Sequence, residues 1–173
     1  MMTLITLAKK ENRNSLPFLL TLSFILFGLS LSEGYAQKAF LLDEFVKEAG
    51  EKNTDYLKNL VYDNVPTIVI KDSNIKIVGE GFPQKVSVDF SSIAALESEN
   101  DIFRTVKLLQ INLGSTSEKS ALRINLEDLK SFSNIAYIFI NSEIPLTQAE
   151  AEMMVTGFEE GDIILLYQVN SNF

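Results

Sequence analysis

The sequence predicts an α/β protein: a mostly parallel sheet with short crossover helices, preceded by an N-terminal amphipathic helix and a β-hairpin. Three observations predict it. Downstream of residue 85 the chain alternates strand-like and helix-like segments, an order that implies parallel pairing through right-handed crossovers. Two of those strands are apolar on both faces: Tyr137 and Phe139 flank Ile138, and Ile164 and Leu166 flank Leu165. Such runs belong to sheets covered on both sides. Finally, residues 39–62 carry an apolar stripe at helical spacing that needs a surface to bury it. The alternative is an α+β fold in which the spacings are ordinary amphipathic patterning.

The elements follow in order. Lys9, Lys10 and Arg13 form a basic region, Leu16 to Leu31 is apolar and uncharged, and Gly34-Tyr35-Ala36 sets small residues before a cleavage point. Residues 1–36 therefore read as a secretory signal peptide, with Gln37 as the mature N-terminus. The apolar stretch is shorter than the roughly 20 residues a membrane-spanning helix needs, so no stable span is expected after cleavage. Residues 37–173 then form one globular domain. Its parts are an N-terminal helix within 37–64, a hairpin within 65–84 and an α/β part over 85–173.

In the helix, Leu42, Phe45, Val46 and Ala49 recur at helical spacing, and Tyr56, Leu57, Leu60 and Val61 continue it. Gly50 and Asn53-Thr54 are positioned to divide it, and Pro66 bars helix beyond Asn64. Thr67–Ile70 and Ile75–Val78 are β-branched runs joined by the turn sequence Lys71-Asp72-Ser73-Asn74. Val86-Ser87-Val88-Asp89-Phe90 alternates as a half-buried strand. Residues 91–103 read as weak helix or irregular chain, 106–113 as a strand, and 114–120 as a loop. A short helix is expected from Asn125 through Phe132, and a strand over 135–140. Thr147 and Glu150 have capping-box spacing, with Leu146 and Ala151 as the staple, for a helix ending at Gly157. The last strand is expected over 163–169.

Composition excludes several activities. The 173 residues hold 15 Lys+Arg against 23 Asp+Glu, and no His, Cys or Trp. Without His and Cys there is no imidazole- or thiol-based catalysis, no disulfide and no thiolate zinc site. A net charge of −8 argues against nucleic acid, which is held by Lys and Arg. Removing the leader takes away Lys9, Lys10 and Arg13 with Glu11 and Glu33, leaving −9. No nucleotide-binding glycine motif occurs, so no cofactor is expected.

One spacing carries a resemblance. Leu126-x-x-Leu129-x-x-Phe132-x-x-Ile135-x-x-Ile138-x-Ile140 and Val106-x-x-Leu109-x-Ile111 resemble the leucine-rich repeat. Weaker echoes are Lys85-x-x-Val88-x-Phe90 and Asp162-x-x-Leu165-x-Tyr167. The strand centres Val88, Leu109, Ile138 and Leu165 lie 21, 29 and 27 residues apart. The resemblance covers about residues 85–170 and implies a protein-binding surface. Of the positions where that family sets a bridging Asn (Ile93, Gly114, Glu143 and Asn170), the last alone matches. The Ala36-Gln37 junction resembles those of small exported Bacteroidota proteins.

Other constellations are weighed against plainer roles. Ser73-Asn74-Ile75-Lys76 has the S-x-x-K spacing of β-lactamases, but that chemistry needs a helix and these residues fall in a hairpin. Glu97-Ser98-Glu99-Asn100-Asp101 and Glu159-Glu160-Gly161-Asp162 are acidic, yet lack the alternating ligands of a calcium loop. They read as solvated loops, and no metal ligands are assigned. Twenty-one acids in the mature chain make some close carboxylate pair inevitable, so such a pair points to no glycosidase. No catalytic residues are assigned.

Tyr137, Phe139, Ile164 and Leu166 are candidates for a partner-binding stripe, although apolar strand residues are mostly core. The N-terminal helix is expected to pack across the face that carries them. The functional expectation is an exported, non-enzymatic protein, periplasmic or extracellular, acting through contact with a protein partner whose identity and stoichiometry the sequence leaves open. The alternative is a carboxylate-based hydrolase or small-ligand carrier.

Overall fold

The computed structural model describes residues 38–157 and 163–170, all within the unit Gln37–Phe173. The leader, Gln37 and the Glu159–Asp162 cluster lie outside the described residues. The fold is α/β. In chain order come β1 (Ala39–Leu41), α1 (Leu42–Ala49), α2 (Glu51–Tyr62), β2 (Thr67–Lys71), β3 (Asn74–Val78) and β4 (Lys85–Asp89). Then follow β5 (Leu108–Leu113), α3 (Thr116–Ala121), β6 (Ile124–Asn125), β7 (Tyr137–Ser142), α4 (Gln148–Met154), β8 (Val155–Thr156) and β9 (Ile164–Val169).

Seven strands form one sheet in the order β1-β9-β7-β5-β4-β2-β3, parallel throughout except for β3. From β2 through β4, β5 and β7 to β9 each parallel strand of this sheet lies one place beyond the last, while β3 folds back onto the other side of β2. A right-handed crossover repeated in one direction puts every connection on the same face. There Ile68, Ile70, Val86, Val88, Leu109 and Ile138 meet Leu96, Phe103, Leu122, Leu129 and Met154 from the connections. The rings of Phe103 and Phe132 stack at 4.7 Å. A second, two-stranded parallel sheet of β6 and β8 backs this layer.

The other face is covered by the chain's return. β1 sits at the far edge beside β9, so the chain must travel back five places to begin β2. At about 4.8 Å per strand that is roughly 24 Å. The eight residues of α1 and twelve of α2 supply about 30 Å of helix, with Gly50 at φ 77° between them. They bury Leu42, Leu57 and Leu60 against Leu108, Phe139 and Leu166. The helix expected over 39–62 does pack on that face.

Several local expectations are corrected. Residues 39–41 are strand, because pairing with Leu165–Tyr167 outweighs their helical periodicity. The hairpin turn has two central residues, Asp72 and Ser73, at φ 50° and 62°. Such a primed turn matches the strand twist, so each strand gains a residue. Residues 116–121 are helix rather than loop: the Ser115 hydroxyl accepts from Glu118 N at 3.3 Å, and the Glu118 carboxylate accepts from Gly114 N at 2.7 Å. The Asn125–Phe132 helix is a single 3-10 turn, Leu126–Asp128, capped by Asn125. The helix expected to reach Gly157 ends at Met154, since Val155 and Thr156 pair with β6. The Thr147–Glu150 capping box is formed.

Candidate functional site

Every second residue of each strand points to the helix-covered face, and along the strands that face has two halves. Toward the strand starts it is apolar and covered. Phe139 and Leu166 are buried there, and Tyr137 and Ile164 are half-buried against the same cluster. These four residues form the floor on which α1 and α2 rest. Lys85 stands in the same row as Tyr137 and Ile164, at the start of β4. Its ammonium donates to the Val61 carbonyl at 3.1 Å, satisfying a carbonyl that the end of α2 leaves without a helical partner. Burial lowers the pKa of Lys85.

Toward the strand ends the face is polar and open. Asp89, Asn112, Asn141 and Gln168 lie side by side in register on β4, β5, β7 and β9. Lys71 joins them on β2, its ammonium 3.8 Å from the Asp89 carboxylate. One residue row below, Ser87 and Gln110 are paired in register. Parallel pairing thus turns residues far apart in the chain into a continuous band across five strands.

The band is wired by its own amides. Asn170 Nδ2 donates to Asn141 Oδ1 at 2.6 Å, and Asn141 Nδ2 donates to Asn112 Oδ1 at 3.3 Å. Asn112 Nδ2 donates in turn to Asp89 Oδ1 at 3.2 Å and Ser87 Oγ at 3.1 Å. Gln110 Nε2 also donates to Asn112 Oδ1, at 2.8 Å. The chain from Asn170 through Asn141 and Asn112 runs toward β4 and ends on the Asp89 carboxylate, so each bond polarises the next. An amide has two N–H donors and two acceptor lone pairs, so Asn141 and Asn170 keep capacity for an outside group.

Beside the band, at the carboxyl ends of the strands, lies a solvent-open hollow of about 410 Å³. Lys71, Asp89, Ser91, Asn112, Glu118 and Asn141 line it. This end of a parallel sheet is where α/β proteins present their binding groups. The chemistry on offer is hydrogen bonding with one cation and flanking carboxylates.

The other sequence motifs are dispersed. Ser73 occupies the hairpin turn and its N–H donates to Ser92 Oγ at 3.1 Å; Lys76 lies on β3 and not one helical turn away. In the first acidic cluster, Asn100 Oδ1 accepts from Ile102 N at 3.1 Å, and Asp101 pairs with Arg104 at 3.3 Å. Among the described residues no group of three or more acids is placed to hold a metal ion.

Sequence reasoning missed the polar band. A signal for it was present: Asn112, Asn141 and Asn170 recur at intervals of 29 residues. Apolar periodicity, which marks the strands, does not carry it, because these positions are polar. No family model, curated protein or solved structure matches the chain. Among the described residues no helix is long and apolar enough to cross a membrane.

Proposed function

We propose that the protein is exported after removal of residues 1–36 and works without catalysis, by contact with another macromolecule in the periplasm or outside the cell. One observation carries this reading: the open half of the sheet face, where five consecutive strands hold a polar row in register. Strand-borne side chains are rigidly spaced and cost little entropy to present, which suits a docking surface. The spacing that resembles leucine-rich repeats agrees with it, since those folds mostly bind proteins through such a face.

The test compares the purified protein with a Ser87→Arg/Asn141→Arg variant whose circular dichroism and unfolding midpoint match the parent. Both side chains are half-buried, so the arginines project onto the face. Specific capture from a periplasmic extract by the parent, lost in the variant, is expected. Equal capture by both, or by neither, would refute the reading.

A second reading, a small-ligand carrier, is favoured by the hollow beside the band, whose size suits a small molecule. Native mass spectrometry distinguishes the two. A bound mass present in the parent and lost in Asn112→Arg supports the carrier.

A further inference from the structure

Among the described residues the sheet ends on β3, which pairs with β2 alone and has no strand on its outer side. All five of its residues are exposed. Ile75 and Ile77, 43% and 47% exposed, lie opposite Ile70 and Ile68. They therefore continue two apolar rows of the sheet, Ile70–Val88–Ile111–Ile140 and Ile68–Val86–Leu109–Ile138. Everywhere else these rows are buried; at β3 they run out into solvent. Stacked architectures normally close such an end with a polar cap, and an open edge is a template for another strand. The opposite edge offers much less, because β1 has three residues and leads at once into α1.

Charge defines the partner. Lys76 stands at the centre of β3, on the face opposite the isoleucines, and makes no ion pair or hydrogen bond among the described residues. The nearest acids along the chain, Asp72 and Glu80, lie beyond the two ends of the strand. An added strand thus meets a positive charge at its middle and negative ones at its ends. A second copy fits poorly. Antiparallel pairing that sets Ile75 against Ile77 of the second copy also sets Lys76 against Lys76, and like charges directly opposite are destabilising.

We propose that β3 is a docking edge for an extended segment of another protein in which an acidic residue is flanked by apolar ones. Main-chain hydrogen bonds extend the sheet, as in strand addition generally. The partner's apolar side chains complete the Ile75 and Ile77 rows, and its central carboxylate pairs with Lys76. The edge lies outside the polar band, so the proposal stands whether or not that band is a contact surface.

The test uses fluorescence anisotropy with a labelled synthetic peptide that alternates Val and Glu, titrated with the purified protein. Binding is expected, together with slowed amide exchange over residues 74–78. Lys76→Glu, on an exposed strand, leaves the fold unchanged; it should weaken binding roughly tenfold and transfer preference to a peptide alternating Val and Lys. Failure of both peptides to bind overturns the proposal, as does equal binding by the parent and Lys76→Glu. Self-association of Lys76→Thr without peptide binding also overturns it, and makes Lys76 a guard against edge pairing.

Discussion

Replacing Leu60 by Ala tests whether α2 is part of the core or a detachable cover. Leu60 is fully buried, in a cluster with Leu57, Leu108, Phe139 and Leu166. Truncation removes most of a buried aliphatic side chain and leaves a cavity. Leu→Ala changes at such sites cost about 2–5 kcal/mol, the spread reflecting how far the surroundings collapse. The rim of this cluster consists of half-buried side chains, among them Phe45, Val46 and Val61, which can lean inward. The expected cost is therefore near the lower middle, about 3 kcal/mol. For a domain of this size that lowers the melting temperature by roughly 10 °C. Urea unfolding followed by circular dichroism measures it, and an unchanged denaturant slope shows that the unfolded state is the same. Tyr56→Ala on the same helix is the control, because Tyr56 is 48% exposed and its removal should cost less than about 1 kcal/mol. If Leu60→Ala cost no more than the control, α2 would not be packed, and the strand face carrying Phe139 and Leu166 would be free for a partner.

Three further outcomes are expected. A hydrogen bond from Lys119, with others from the Thr147 N–H and hydroxyl, holds the Glu150 carboxyl down at about 2. A group lowered on folding stabilises above its unfolded value and loses that contribution as pH falls. The urea-midpoint gap between the parent and Glu150→Gln should therefore narrow from about pH 5 and close near pH 2; a gap independent of pH would contradict the assignment. Gly157 has φ 79°, and a Cβ there would overlap Asn125 Oδ1 and crowd Leu126 N. Gly157→Ala should cost about 2 kcal/mol through backbone strain and loss of the Asn125 cap, and a neutral result in urea unfolding would show that this corner yields. Finally, intact mass of the exported protein should correspond to a chain beginning at Gln37, and retention of residues 1–36 would refute the leader.

Some local signals were present and still misread. Ser115 and Glu118 have the same capping-box spacing as Thr147 and Glu150, yet residues 114–120 read as loop because they are rich in Ser and Thr. The structure makes them helix through those two side chains. Residues 39–41 erred the other way. Their periodicity continues that of α1, but pairing with β9 claims them. At Ser115 and Glu118 capping supplies what periodicity lacks, and at residues 39–41 strand pairing outweighs it.

Periodicity and capping chemistry act over a few residues, and for that reason the sequence alone determined the positions of β2 to β5, β7 and β9, the Thr147 cap, the parallel order and the need to cover a second apolar face. The band from Lys71 to Gln168 is another matter. Asp89 and Asn112 are 23 residues apart, Asn112 and Asn141 29, and Asn141 and Gln168 27. They become neighbours because β4, β5, β7 and β9 pair in one register. A slip of one residue in any pairing would turn that strand's polar side chains into the apolar layer and end the row. Which half of the face stays open was likewise decided by where α1 and α2 lie: they bury Leu108, Phe139 and Leu166 and leave the polar strand ends uncovered. Both are consequences of strand register and helix length acting together, and neither is written in any single segment of the chain.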